Sequence, residues 1–196
     1  MKDVLTYSSD NPTIIELLDQ GVHFSEHMLK EFTVQKNQRF PAIIQSQNRR
    51  VQVLRWGIEN PIMASGPELF YLFGPTLSRQ ESLKTILRKQ RLVIPVKQYS
   101  QQLLDGRSYV LKNSAENILY LGGVWYENQN NEPGFALITR NFTHDSSLKR
   151  LPLLISSKKV KSWLDSETPI LSIYSDFLDQ DLTYNIEYKD GSPMKI

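Results

Sequence analysis

The chain has 196 residues, 40% of them hydrophobic and 22% charged, and this composition predicts one globular domain over residues 1–196. The absence of cysteine excludes disulfide bonds, cysteine-bound zinc and catalysis by a thiolate. The net charge of +2 is too small to indicate nucleic-acid binding by itself, and no apolar run approaches the roughly 20 residues of a membrane-spanning helix, so we expect a cytoplasmic protein without a membrane partner.

Two helices are predicted in the first half of the chain. Asn11 and Pro12 have the pattern of an N-cap and first turn, and the apolar residues that follow them end at Gly21. A second helix is predicted to begin at Ser78, because its spacing from Glu81 fits a capping box and an apolar stripe follows.

Most of the remaining chain has the pattern of short strands. The segments with this pattern are 42–45, 52–58, 91–99, 108–112, 118–126, 135–139 and 151–155. Asp105 and Gly106 fit a tight hairpin turn, and a last helix is predicted over 158–164. Short strands with few helical crossovers predict an α+β fold, in which peripheral short helices surround a mostly antiparallel, barrel-like sheet.

Charged residues are unevenly distributed along the chain. Basic residues are concentrated between Arg79 and Lys97, where Glu81 is the only acid, whereas acidic residues dominate from Glu167 to Asp190. The basic stretch indicates either a basic surface of the protein or an ordinary solvated helix face.

Several short strings occur in the order and approximate spacing of one known family. They are RWGI at 55–58, RQES at 79–82, RLVIP at 91–95, FALIT at 135–139, His144, RLPLLI at 150–155 and WLD at 163–165. Together they resemble the SRAP family, the SOS response-associated peptidases or abasic-site-processing proteins, from about residue 1 to about residue 188. In that family an N-terminal cysteine captures the aldehyde of an abasic site in single-stranded DNA.

The resemblance also implies that the family's active site is degenerate in this chain. The position of the family cysteine is occupied by Lys2, and that of its asparagine by Leu77, or by Ser78 if one residue is deleted. The position of the catalytic glutamate is occupied by Gln101, whose amide cannot act as an acid or a base. Of the four catalytic positions only His144 is retained, either as a vestigial acid–base group or as a simple loop imidazole.

The same resemblance implies a set of contacts to single-stranded DNA. Trp56, Arg79, Thr139 and Arg150 match positions near the nucleic acid, and we expect them to converge with His144 around one groove. Arginine suits phosphate oxygens, and a tryptophan can stack on an unpaired base, although Trp56 on a strand fits a buried core position equally well.

No cofactor or metal is predicted. His23 and His27 have a spacing that can hold a metal on a helix, but no third ligand is evident. We expect a divergent SRAP-like protein that binds single-stranded or abasic DNA noncovalently. Two alternatives remain open: residual crosslinking or lyase chemistry through an amine such as that of Met1, and a protein-interaction module that uses the former DNA groove.

Overall fold

The computed structural model describes residues 3–8, 10–19, 32–44, 50–63, 66–77, 79–103, 105–127, 131–141, 150–168 and 184–189. The strands are β1 (Asp3–Tyr7), β2 (Phe32–Gln35), β3 (Arg39–Ile44), β4 (Arg50–Trp56), β5 (Tyr71–Phe73), β6 (Arg91–Val96), β7 (Gln98–Gln102), β8 (Ser108–Asn113), β9 (Leu119–Glu127), β10 (Pro133–Asn141), β11 (Arg150–Pro152), β12 (Leu154–Ile155) and β13 (Tyr184–Tyr188). The helices are α1 (Pro12–Asp19), α2 (Gly74–Leu77), α3 (Glu81–Lys89) and α4 (Val160–Trp163).

The strands form two sheets, and one of them closes into a barrel. The first sheet is antiparallel, with the order β13-β8-β7-β1-β2. The second has the order β11-β10-β4-β3-β6-β9-β12, and β9 also pairs with β10, which closes a barrel of β10, β4, β3, β6 and β9. Only the pairs that β10 makes with β4 and β5 are parallel among the described strands. This confirms the predicted mostly antiparallel, barrel-like α+β fold.

Two hydrophobic clusters lie on opposite faces of the barrel strands. The first joins the five-stranded sheet to the barrel, and it contains Leu5 and Tyr7 together with Phe40, Trp56 and Phe135. The second lies between the opposite face of the barrel and helices α2, α3 and α4. Alternation along β10 explains this division, because neighbouring residues of a strand point to opposite faces.

The helices follow the predicted apolar pattern more closely than the predicted boundaries. The side chain of Asn11 caps α1, since its Oδ1 accepts a hydrogen bond from the Thr13 backbone N–H at 3.0 Å. Helix α3 begins at Glu81 after an extended Gln80 that gives no side-chain cap, so its predicted start at Ser78 is wrong. At the third predicted helix, a 3₁₀ turn at Ser157–Lys159 leads into α4.

One predicted strand is divided between the two sheets. The segment 91–99 is interrupted at Lys97, whose backbone N–H donates to the carbonyl of Thr6 at 2.8 Å. The chain thereby leaves the barrel at β6 and enters the other sheet at β7. The hairpin predicted at Asp105 and Gly106 joins β7 to β8, and Gly106 has the positive φ of 86° that favours glycine at this turn.

The backbones of Gly57 and Gly134 approach each other closely at the end of β4. Gly57 has a φ of 135°, and its backbone N–H donates to the carbonyl of Phe135 at 2.8 Å. A Cβ at Gly134 would overlap the carbonyl oxygen of Gly57, so both positions require glycine. The close approach of these two backbones holds Trp56 against the core.

Candidate functional site

The register of β1 and β7 brings Asp3 to Gln101. The two residues are direct antiparallel partners, and Leu5 is opposite Tyr99 two positions further along. Since Leu5 and Tyr99 belong to the first core cluster, Asp3 and Gln101 share that inward face. Directly opposite side chains of such a pair have Cβ atoms about 4.5–5.5 Å apart. The position of the family glutamate is therefore adjacent to an aspartate that the sequence analysis did not single out.

The Asp3 carboxylate is buried and makes two strong contacts through one of its oxygens. Its side chain is 0% exposed, and Oδ2 accepts from the Lys36 ammonium at 2.5 Å and from the Tyr71 hydroxyl at 2.8 Å. The other oxygen, Oδ1, is buried and has no hydrogen-bond partner among the described residues. A buried charge is tolerated in proteins when it is paired and hydrogen-bonded, as Oδ2 is here.

Three tyrosines connect Asp3 with Gln101. The hydroxyls of Tyr71 and Tyr99 are 3.2 Å apart, and the Tyr109 hydroxyl donates to Oε1 of Gln101 at 2.9 Å. Burial raises the pKa of all three phenols well above the ordinary value, and the Asp3 charge raises it further. These hydroxyls consequently stay protonated at neutral pH and serve as hydrogen-bond donors.

Lys36 is the part of this cluster that reaches solvent. Its side chain is 25% exposed, and it lies directly after β2. The ammonium nitrogen is 5.3 Å from the ring centre of Phe70 and 5.0 Å from that of Tyr71. Two aromatic rings and a buried carboxylate thus hold the amine in one place at the surface.

Two of the predicted DNA-contacting residues lie beside this cluster. Phe73 is the next residue after Tyr71 on the same face of β5, and it is the parallel partner of Thr139. The exposed Arg150 places its guanidinium carbon 4.3 Å from the Phe73 ring centre. Thr139 is buried, and its hydroxyl donates to the carbonyl of Leu72 at 3.4 Å. Arg150 and Thr139 therefore converge near Tyr71, and only Arg150 is open to a ligand.

Trp56 presents no ring face to solvent. Its side chain is 0% exposed, stacks on Phe135 with ring centres 6.1 Å apart, and donates through Nε1 to the carbonyl of Phe70 at 3.2 Å. Of the two interpretations left open by the sequence, base stacking and a buried core position, the structure shows the buried core position. Because Phe70 and Tyr71 flank Lys36, Trp56 supports the site from behind.

Arg79 is not brought into the cluster by any described contact. It is exposed just after α2, and its backbone N–H donates to the carbonyl of Thr76 at 3.1 Å. Lys2 and His144 lie outside the described residues, as do His23 and His27. Within the part of the chain that the structure describes, no group of three metal-ligating side chains is found.

The basic stretch from Arg79 to Lys97 does not form one surface. Arg91 is 0% exposed and donates to the backbone carbonyls of Asp165 and Thr168, and burial lowers its pKa to about 10. Helix α3 covers the outer face of the barrel through Leu83 and its neighbours, so its basic residues point away from the Asp3 side. Of the two interpretations of this stretch, the structure favours the solvated helix face, because Arg91 is buried.

Sequence patterns did not predict a site at Asp3, Lys36 and Tyr71. Asp3 alternates with Leu5 and Tyr7, which places it on the inward face of β1, and a charged residue at an inward position is a recognisable signal. Nothing in the sequence brings Lys36 or Tyr71 to it, because they lie on separate elements.

The fold of this chain is a closed five-stranded barrel packed against a second, antiparallel sheet. The chain is a member of the SRAP family: the family model described as SOS response associated peptidase (SRAP) matches residues 5–187. It is accordingly a DNA-damage-related SRAP-like protein.

Solved structures support the fold. A phage-related protein from Bordetella bronchiseptica superposes with a TM-score of 0.72 at 16% identity, over 98% of this chain and 99% of the other. A protein from Bacteroides thetaiotaomicron has a TM-score of 0.68 at 16% identity, over 94% and 91%. A second Bordetella bronchiseptica protein has a TM-score of 0.66 at 15% identity, over 94% and 98%. No curated protein matches the sequence significantly. The described residues contain no helix long and apolar enough to cross a membrane.

Proposed function

We propose that this protein binds single-stranded or abasic DNA noncovalently at the surface around Asp3, Lys36, Tyr71 and Arg150. We infer one domain over residues 1–196, acting in the cytoplasm without a metal or other cofactor. The observation that carries the proposal is the position of Arg150, which is exposed and packs over the Phe73 ring. Phe73 is the next inward-facing residue of β5 after Tyr71, whose hydroxyl donates to Asp3. A cation that suits phosphate and a buried polar centre thus contact neighbouring inward-facing residues of β5.

The chain lacks the groups for the family's covalent chemistry. Gln101 keeps the length of a glutamate, but its amide neither gives nor takes a proton near neutral pH. Leu77 is 0% exposed in the cluster beneath α2, so no amide is available at that position to orient a sugar. Without a cysteine no thiazolidine can form. These positions therefore support binding without the family's thiol adduct.

The proposed DNA contacts are mainly electrostatic. An arginine fork suits phosphate oxygens, and the Phe73 ring holds Arg150 in position for such a contact. Exposed Arg79 is proposed as a second phosphate contact, beyond α2. Trp56 and Thr139 contribute indirectly, because their side chains donate hydrogen bonds to the carbonyls of Phe70 and Leu72, which flank Tyr71. Phosphate contacts release counterions, so affinity falls as salt concentration rises.

The test is a fluorescence anisotropy titration of labelled single-stranded oligonucleotides, with and without an abasic site, over a series of salt concentrations. Arg150→Gln and Arg79→Gln each lower the slope of log affinity against log salt by about 0.7, the value for one phosphate contact in a single strand. Arg88→Gln is the matched control, because it removes the same charge from the exposed face of α3. An absence of binding at low ionic strength would reject the proposal in favour of the protein-interaction module.

A further inference from the structure

We propose that Lys36 forms a reversible imine with an aldehyde, and that Asp3 is its proton partner. The inference rests on the proposed function for the identity of the aldehyde, which is the ring-opened sugar of an abasic site. It assigns the reacting amine to the side chain that contacts Asp3, and not to the terminal amine of Met1.

The geometry of Lys36 suits an amine nucleophile. Such lysines are held in a partly desolvated place beside a group that exchanges protons with them. The ammonium of Lys36 is 2.5 Å from Oδ2 of Asp3, between the rings of Phe70 and Tyr71, and a quarter of its side chain is exposed. A carbonyl compound can therefore approach from solvent while the carboxylate remains behind the amine.

Asp3 is placed to receive a proton and return it. Its side chain is fully buried, and its Oδ1 has no partner among the described residues although the atom is shielded from solvent. The Tyr71 hydroxyl holds Oδ2 in position and is itself held by Tyr99.

The Lys36 ammonium gives one proton to Asp3 and becomes a neutral amine. The nitrogen lone pair forms a bond to the aldehyde carbon, and the proton lost from nitrogen moves to the former carbonyl oxygen, which gives a carbinolamine. The Asp3 carboxylic acid then protonates that hydroxyl, water leaves, and a protonated imine remains beside the restored carboxylate. Hydrolysis reverses the sequence, so no oxidant or reductant is consumed.

Another lysine shows why this arrangement is specific to Lys36. Lys84 also pairs with a carboxylate, that of Glu81, at 2.9 Å. The side chain of Glu81 is 84% exposed, so water solvates this pair and separates its charges at little cost. Lys84 is thus a control with the same chemical groups in a solvated setting.

The experiment traps the imine by reduction with cyanoborohydride, which converts it to a stable secondary amine. Two probes are used: an abasic single-stranded oligonucleotide and free 2-deoxyribose. The wild type is expected to give a trapped product whose modified peptide contains Lys36. Lys36→Arg keeps the cation but cannot form the imine, so its yield of trapped product is expected to be at least about tenfold lower. Lys84→Arg is expected to give the wild-type yield. Asp3→Asn is expected to slow trapping, by up to about 10²–10⁴-fold for loss of an acid–base group.

The wild-type peptide map does not depend on any variant folding correctly. Modification of another amine in place of Lys36, or equal trapping by Lys36→Arg and the wild type, overturns the inference. Trapping of 2-deoxyribose at Lys36 without DNA binding upholds the inference and rejects the proposed DNA function. DNA binding without trapping of either probe rejects the imine at Lys36 and supports the proposed DNA function.

Discussion

Replacing Tyr7 with phenylalanine is predicted to change how stability depends on pH. Tyr7 is 0% exposed, and its hydroxyl donates to the carbonyl of Pro41 at 3.1 Å. Burial raises its pKa well above 10.0. At pH 8 the phenol is protonated in both the folded and the unfolded chain, so the variant loses only the hydrogen bond. An unpaired buried carbonyl costs about 1–3 kcal/mol, and the variant should be less stable by that amount.

Above pH 10 the unfolded chain ionises at Tyr7 while the folded chain does not. The unfolded state then binds fewer protons, so the stability of the wild type falls with rising pH by about 1.4 kcal/mol per pH unit from this one residue. The stability of Tyr7→Phe does not fall for this reason. The difference of about 1–3 kcal/mol in the free energy of unfolding between the two proteins therefore disappears by about pH 11–12. Urea unfolding of both proteins at intervals from pH 8 to pH 11 measures the difference. A gap that stays constant over this range would refute the reasoning, because every other titrating group is common to both chains.

Three further outcomes are expected. Neither the wild type nor Lys2→Cys should give a stable adduct with abasic single-stranded DNA on denaturing gels without reductant, and a shifted wild-type band would mean that a working family site has been misread as degenerate. Gly134→Ala should leave little soluble folded protein, since its Cβ meets the carbonyl of Gly57, and a normal thermal transition would contradict the backbone crossing. Arg91→Met should lower the free energy of unfolding in urea by about 1–3 kcal/mol for each backbone carbonyl that it leaves unpaired, whereas an unchanged value would show that water replaces the guanidinium.

Local sequence patterns predicted the fold well where periodicity was strong. The stripe of Leu83, Ile86 and Leu87 identified the face of α3 that is buried, although not the residue at which the helix begins. The segment 91–99 was predicted as one strand because both of its halves are apolar. Apolar content alone does not indicate that the chain passes from one sheet to the other at Lys97. Strands β1, β2, β5 and β13 were missed, because each is short and gains its order from its partners.

The site was predictable only to the extent that family strings mark it. Those strings led to Arg150 and Thr139, which the structure brings together at Phe73. They also led to Trp56, because a residue that supports a site from the core is matched as readily as one that touches a ligand. The Asp3–Lys36 pair joins two residues that no spacing rule connects, and its distance of 2.5 Å is a product of tertiary structure alone.

The register between β1 and β7 also bears on how the protein is made. Asp3, Lys36, Tyr71 and Tyr99 lie far apart in the chain, and β1 finds its β7 partner only after about a hundred residues have been synthesised. Contacts of such long separation form slowly, because the intervening chain must first lose its freedom. During translation β1 can pair with β2 once residue 35 has been made, but its other edge stays unpaired until β7 is made. Reactivity at Lys36 would, for the same reason, report completed folding and not a partly ordered intermediate.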